Sequence, residues 1–423
     1  MKESISINNF LVVKKADLEV KKINVIIGPQ ANGKSIIAKL LYFFKSISND
    51  FIDGIRSNKS KRALDLSILN DFEKRFPRYS WEGDSFQIVY KIGELELKVL
   101  GIKNSRGKTK LKFEYSKELQ DLYNGKKKIY NKKLEEARES NKKQKWHQNI
   151  EFPIFYEHVR TPINNSVFNS FFSNSVFVPA SRSFFANLQK NIFTFLASNL
   201  DIDPFLKEFG SLYETSKRWY KDSYLAEEHR ELINELYKDM EAIVDGEYEY
   251  KDDQDWIHTR GNKINLANAS SGQQESLPML LTLCVWPLIR HEEKGGMFFI
   301  EEPEAHLFPT SQGHIVSILS LLYSMLGTNF FLTSHSPYIL SALNNFILAG
   351  DAVDRNSLSV EGFTKMNGSG RPINFEDVAA YTITNGKVSS INDEEYRMLG
   401  ADMLDGVSEH FETVMNKILV CGD

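Results

Sequence analysis

Ile23-Asn24-Val25-Ile26-Ile27-Gly28-Pro29-Gln30-Ala31-Asn32-Gly33-Lys34-Ser35 decides the architecture. The first part is an apolar, β-branched run that reads as a buried strand, and the spacing of Ile36, Ile37, Leu40, Leu41 and Phe44 after Lys34 is helical. Between them, Gly28 to Ser35 fit G-x-x-x-x-G-K-[ST] completely. Strand, glycine loop and helix form the context in which that pattern carries its chemistry. The glycines let backbone N–H groups turn inward onto phosphates at the positive end of the helix, Lys34 can reach the β and γ phosphates, and Ser35 can ligate Mg²⁺. The expected nucleotide-binding set is Gly28, Pro29, Gln30, Ala31, Asn32, Gly33, Lys34, Ser35 and Ile36.

Met297-Phe298-Phe299-Ile300-Glu301-Glu302-Pro303-Glu304 has the form of an apolar strand that delivers acidic groups at its C-terminal edge, beside a phosphate loop in a parallel sheet. Glu301 stands where most such proteins have Asp. It is one carbon longer, but it can still hold the metal through water, so Glu301 and Ser35 are the expected metal residues. Glu302 is placed to polarise an attacking water as general base.

Here a resemblance can be named. Glu302-Pro303-Glu304-Ala305-His306-Leu307 is similar to the Walker B and D-loop of RecF-like and OLD-like ATPases. Ser270-Ser271-Gly272-Gln273-Gln274-Glu275 resembles the ABC signature LSGGQ, with Ser270 in place of Leu and Gln273 in place of the second Gly. Phe330-Phe331-Leu332-Thr333-Ser334-His335-Ser336-Pro337 resembles the switch or H-loop, which makes His335 a γ-phosphate sensor. Val176-Phe177-Val178-Pro179-Ala180-Ser181-Arg182-Ser183 is similar to a VPxxR segment of the same branch. For Arg182 three roles stand open: approach to nucleotide, coupling to a helical lobe, or a structural ion pair.

The resemblance covers residues 1–48 and 265–349. It implies an α/β fold of ABC-type P-loop ATPase class, in the RecF, structural-maintenance-of-chromosomes (SMC) and OLD branch. The expected fold has a mostly parallel central sheet, an antiparallel β portion and an inserted helical lobe. It also implies ATP and Mg²⁺ as cofactors, with Lys34, Glu302 and His335 catalytic. In such ATPases the signature of one protomer meets the γ-phosphate held by the other, so Ser271 and Gly272, with Gln274 beside them, are expected to act across a dimer.

The whole chain is expected to divide as follows: 1–48, a lobe with the phosphate loop; 49–175, an inserted β and helical region; 176–264, a helical lobe with connecting strands; 265–349, signature helix, Walker B and H-loop; and 350–423, a C-terminal β and helical extension. Within the insertion, nine basic residues from Lys126 to Lys145 face three acidic ones, Glu135, Glu136 and Glu139. A solvated helix face and a contact to phosphate backbone or an acidic partner both fit that run. The net charge of −4 gives no global reason to bind nucleic acid, and the two cysteines, Cys284 and Cys421, cannot build a disulfide framework or a zinc site. No stretch approaches a membrane span and the start lacks a signal peptide's apolar run, so a cytoplasmic protein without a membrane partner is expected.

The whole-chain pattern resembles the stand-alone ATPases of bacterial anti-phage systems, nearest the PARIS ATPase subunit, with the Septu and retron-associated ATPases behind it. That resemblance implies a homodimer or an assembly of dimers, a separate nuclease effector, and a DNA or phage-protein trigger. The rival reading is a RecF-like clamp that closes on duplex DNA.

Overall fold

The computed structural model describes residues 2–141, 150–188, 202–289 and 296–400. Lys142, Lys143 and Lys145 of the basic run lie outside the described residues, as does the end of the expected C-terminal extension from 401 to 423, Cys421 included.

An eleven-stranded sheet organises the chain. Strands β1 (Glu3–Phe10), β2 (Val13–Val20) and β3 (Ile23–Ile27) open it; β4 (Phe86–Ile92), β5 (Leu95–Lys103) and β6 (Thr109–Tyr115) extend one edge. Next come β7 (Ser175–Val178) and a separate three-stranded sheet of β8 (Glu247–Lys251), β9 (Gln254–Thr259) and β10 (Asn262–Asn265). Strands β11 (Met297–Glu301), β12 (Asn329–Ser334), β13 (Val378–Thr384) and β14 (Lys387–Ser390) complete the large sheet. Its order is β6-β5-β4-β1-β2-β14-β13-β3-β12-β11-β7. The run β13-β3-β12-β11-β7 is parallel, whereas β6-β5-β4-β1-β2 is antiparallel.

The parallel strands are apolar on both faces because both faces are covered. Along β3, Ile23, Val25 and Ile27 enter one core while Ile26 enters the other; along β11, Phe298 and Ile300 alternate with Met297 and Phe299 in the same way. On one face lie α1 (Lys34–Arg56), α2 (Lys61–Arg75) and the inserted α3 (Lys117–Asn141). The other face is covered by the helices Pro204–Trp219, Arg230–Val244, Ser271–Ile289, Pro309–Leu326 and Pro337–Asp354.

Residues 378–384, which the sequence groups with a C-terminal extension, form the strand beside β3. β13 is therefore internal to the sheet and joins its two halves through β14, whose Lys387 pairs with Lys15 of β2. Among the described residues no helix is long and apolar enough to cross a membrane.

Candidate functional site

The C-terminal ends of β3, β11 and β12 lie side by side, and Lys34, Glu301, Glu302 and His335 gather there. β3 stops at Gly28, whose φ of 152° and close neighbour, the Ile383 carbonyl 3.0 Å from where a Cβ would lie, leave no room for a side chain. Gly33, with φ 102°, caps α1 and would drive a Cβ to within 2.8 Å of Val13. Pro29, Gln30 and Ala31 are exposed between them, the Asn32 amide braces the Pro29 and Gln30 carbonyls, and Ile36 packs against the core.

Lys34 is buried. Its Nζ donates to the carbonyl oxygens of Gly28 at 2.7 Å and Pro29 at 2.8 Å and lies 3.3 Å from His335 Nδ1. Burial lowers the Lys34 pKa, opposed by the nearby charges of Glu302 and Glu304. An ammonium has donors only, so His335 Nδ1 is the acceptor and the ring proton sits on Nε2, which donates to Glu302 Oε1 at 2.9 Å. Lys34, His335 and Glu302 thus form one hydrogen-bonded chain from the loop to the end of β11.

The two neighbouring carboxylates sit in different surroundings. Glu301 is 5% exposed, its Oε2 accepts from the Ala180 N–H at 3.1 Å, and its Oε1 has no hydrogen-bond partner. Burial raises its pKa, while Lys39, the Ala180 N–H and the neighbouring Ser35 hydroxyl pull it back. The Glu302 side chain is 37% exposed, so water reaches the second carboxylate and not the first. Glu304 is buried and accepts from Ser334 Oγ at 2.8 Å and the His335 N–H at 2.6 Å, which fixes the histidine's strand end.

The signature-like turn stands apart. Ser270 and Gln273 form a reciprocal capping box: the Gln273 N–H donates to Ser270 Oγ, and the Ser270 N–H donates to Gln273 Oε1 at 3.1 Å. A glutamine where the signature has its second glycine therefore anchors the helix start. Ser271 is exposed, Gly272 packs so closely on the His306 carbonyl that a Cβ would lie 2.9 Å away, and Gln274 Nε2 donates to the carbonyls of Ala267 and Ala269. No hydrogen bond among the described residues joins Ser271 or Gly272 to the 28–35 loop.

One part of this arrangement has no counterpart among the expected site residues, and another was expected with its role left open. Ile383 of β13 walls the phosphate loop. Arg182 turns away from the loop and is fully buried against the backbone of β11 and the 271–289 helix. On the basic helix, Lys127 donates to the Lys59 carbonyl at 2.9 Å, Lys132 and Lys133 pair with Glu136, and Arg138 pairs with Glu151.

The model of one protein family, described as "AAA domain, putative AbiEii toxin, Type IV TA system", matches residues 23–341. That span takes in both the phosphate loop and the Glu301–Glu302 strand. No curated protein matches the chain. Solved structures that resemble it include an SMC head bound to the C-winged helix domain of ScpA, at 10% identity over 93% of this chain and 98% of that one, TM-score 0.39. The SMC head domain from Thermotoga maritima follows at 10% identity, 93% and 99% coverage and TM-score 0.37, and the recombination mediator protein RecF at 14% identity, 92% and 98% coverage and TM-score 0.31. At such distances the fold rests on the chain's own topology. The family match covers most of the chain, which therefore belongs to this family of AAA domains and is a P-loop ATPase.

Proposed function

From that membership we propose that the chain binds and hydrolyses ATP with Mg²⁺ in a dimer whose two signature turns complete each other's sites, and that closure controls a separate nuclease effector. The observation that carries the hydrolytic reading is the Lys34–His335–Glu302 chain, which puts a cation, a neutral imidazole and a solvent-accessible carboxylate in line at the strand ends.

Ser35 and Glu301 fit a magnesium ion. A hydroxyl and a carboxylate are hard oxygen donors, and the buried Glu301 Oε1 has no hydrogen-bond partner. Among the described residues no cluster of three or more His, Cys, Asp and Glu could make a protein-only cage, which agrees with Mg²⁺ held jointly with substrate phosphates. When bound, the ion offsets the charge of the β and γ phosphates.

The chain's own residues do the rest. The loop N–H groups and Lys34 orient the phosphates. Glu302 would accept a proton from the attacking water, and His335, donating through Nε2, holds that carboxylate in place. Glu301, at 5% exposed, would be left to the metal and its water shell rather than to the attacking water.

Dimerisation is supported by Ser271, exposed at a helix start and unconnected to its own loop. It is tested by mixing inactive Lys34→Ala protein with inactive Ser271→Arg protein. The heterodimer then holds one site built from intact halves, so phosphate release should recover to a fraction of wild type; no recovery despite proven subunit exchange would count against shared sites. The effector reading is supported by the whole-chain motif string. For the rival DNA clamp, the intramolecular pairs along α3 leave fewer free cations. DNA-stimulated ATP hydrolysis that falls steeply with salt would favour the clamp.

A further inference from the structure

Arg182 is 0% exposed and lies outside the hydrogen-bonded chain of the site, yet it is tied to three segments around it. Its Nε donates to the Glu275 carbonyl at 2.9 Å. Its Nη1 donates to the carbonyls of Pro179 at 3.0 Å and Glu301 at 2.7 Å, and its Nη2 to that of Glu302 at 3.0 Å. The return contact is as specific: Glu275 Oε1 accepts from the Arg182 N–H and Oε2 from the Ser183 N–H, both at 2.9 Å. One guanidinium thus joins the loop after β7, the end of β11 and the first turn of the 271–289 helix.

The backbone at this junction is strained. Ser181, Glu302 and His306 take φ of 62°, 45° and 61°, a region disfavoured for residues with a Cβ and kept only where the surroundings over-determine it. Glu302 is held there from two sides: its N–H donates to the Thr333 carbonyl at 2.9 Å and its carbonyl accepts from Arg182. A second route runs in parallel, with Gly272 packed on the His306 carbonyl. Against the upward push of burial, the Arg182 charge and the two N–H groups bring the Glu275 carboxyl below its usual range, so the link is ionic as well as hydrogen-bonded.

We propose that Arg182 is a positioning residue that couples the first turn of the signature helix to the general base, holding the Glu302 backbone in its left-handed conformation and passing displacement of that turn on to the carboxylate. The inference rests on the hydrolytic reading above and assigns Arg182 no contact with nucleotide. Only a planar fork with fixed donor directions can set several carbonyls relative to one another; a lysine keeps the charge and loses that geometry.

The test uses the full chain and Arg182→Lys. Affinity for a fluorescent ATP analogue should stay within about 3-fold of wild type, while single-turnover phosphate release with enzyme in saturating excess over ATP falls roughly 10- to 100-fold, the scale on which a misplaced general base acts. In a Glu302→Gln background the same substitution should cause no further loss, because the route ends at Glu302. A structural brace would slow both backgrounds alike.

Wild-type release by Arg182→Lys, or equal loss in both backgrounds, overturns the proposal. Should thermal melting show that Arg182→Lys does not fold, Glu275→Gln takes its place, since its amide cannot accept from both N–H groups. The same split is expected, and normal release by folded Glu275→Gln overturns the coupling. Lys34→Ala separates the two ideas: if it releases phosphate as fast as wild type, the hydrolytic reading falls, whatever Arg182 does.

Discussion

The two halves of the large sheet surround their buried polar groups differently, although each leaves some of them unpaired, Tyr115 Oη and Asp65 Oδ1 in the antiparallel half among them. In the antiparallel half, the buried Lys45 ammonium and the Tyr90 hydroxyl both meet Glu3 Oε1 at 2.9 Å, and the space around them is filled by rings. Phe72 alone has ring neighbours in Phe10 at 5.7 Å, Phe43 at 5.3 Å and Phe76 at 5.0 Å. At the strand ends of the parallel half, Glu301 and Glu304 each bury a carboxylate oxygen without a partner, and Glu302 keeps a left-handed backbone. A buried polar atom left unpaired costs about 1–3 kcal/mol, which nothing in local packing recovers. One half is arranged for stability. The other tolerates instability to hold charge and geometry in readiness, and the two should respond to mutation in opposite currencies.

The largest expected effect lies at the strand ends. Glu302→Gln should bind ATP yet hydrolyse it at least ~100-fold more slowly, with closed dimers accumulating. Lys34→Ala should lose tight nucleotide binding in a calorimetric titration, because the phosphates lose their fixed cation. Neither should lower the urea midpoint. If Glu301→Gln gives the trapped state instead and Glu302→Gln turns over normally, the roles of the two carboxylates are exchanged.

Next in size is the opposite substitution, Phe72→Ala. It deletes a fully buried ring and should cost about 3–5 kcal/mol in urea unfolding while ATP affinity of the folded protein stays unchanged. A large loss of affinity in the folded variant would show that the halves are not independent.

The smallest effect refines the contrast, since the antiparallel half carries misfits of its own, of which Asp50 is a titratable one. Burial, with Asp71 nearby, pushes the Asp50 carboxyl of α1 up to about 6. Its folded-state pKa is thus above the unfolded value, so the folded chain holds more protons between about pH 4 and 6 and this residue's contribution declines as pH rises through that window. Asp50→Asn should remove that slope and gain up to roughly 3 kcal/mol at pH 7. Identical stability-versus-pH curves for the variant and wild type would show Asp50 to be well accommodated.

The parallel half was legible where an apolar run leads directly into chemistry-bearing residues, as in Ile23 to Ser35, Met297 to Glu304 and Phe330 to His335. Those segments announce their own ends. The run Val378 to Thr384 is just as apolar, but a strand does not state its neighbour, and nothing in that stretch says that it pairs with β3. Arg182 was visible as a residue while its work was not, because its guanidinium bonds go to main-chain carbonyls, which carry no residue identity. Gln273 shows the reverse: a departure from the signature that becomes intelligible once its capping contact with Ser270 is seen.

The place of β3 also bears on how the chain emerges from the ribosome. Ile23 pairs on one side with Phe330 and on the other with Val378. At roughly 5–20 residues per second of synthesis, the phosphate-loop strand is made first and then waits some tens of seconds for both neighbours. Through that interval a two-sided apolar strand has no sheet to enter, so a nascent-chain holdase has its longest opportunity at the very segment that will later grip the nucleotide.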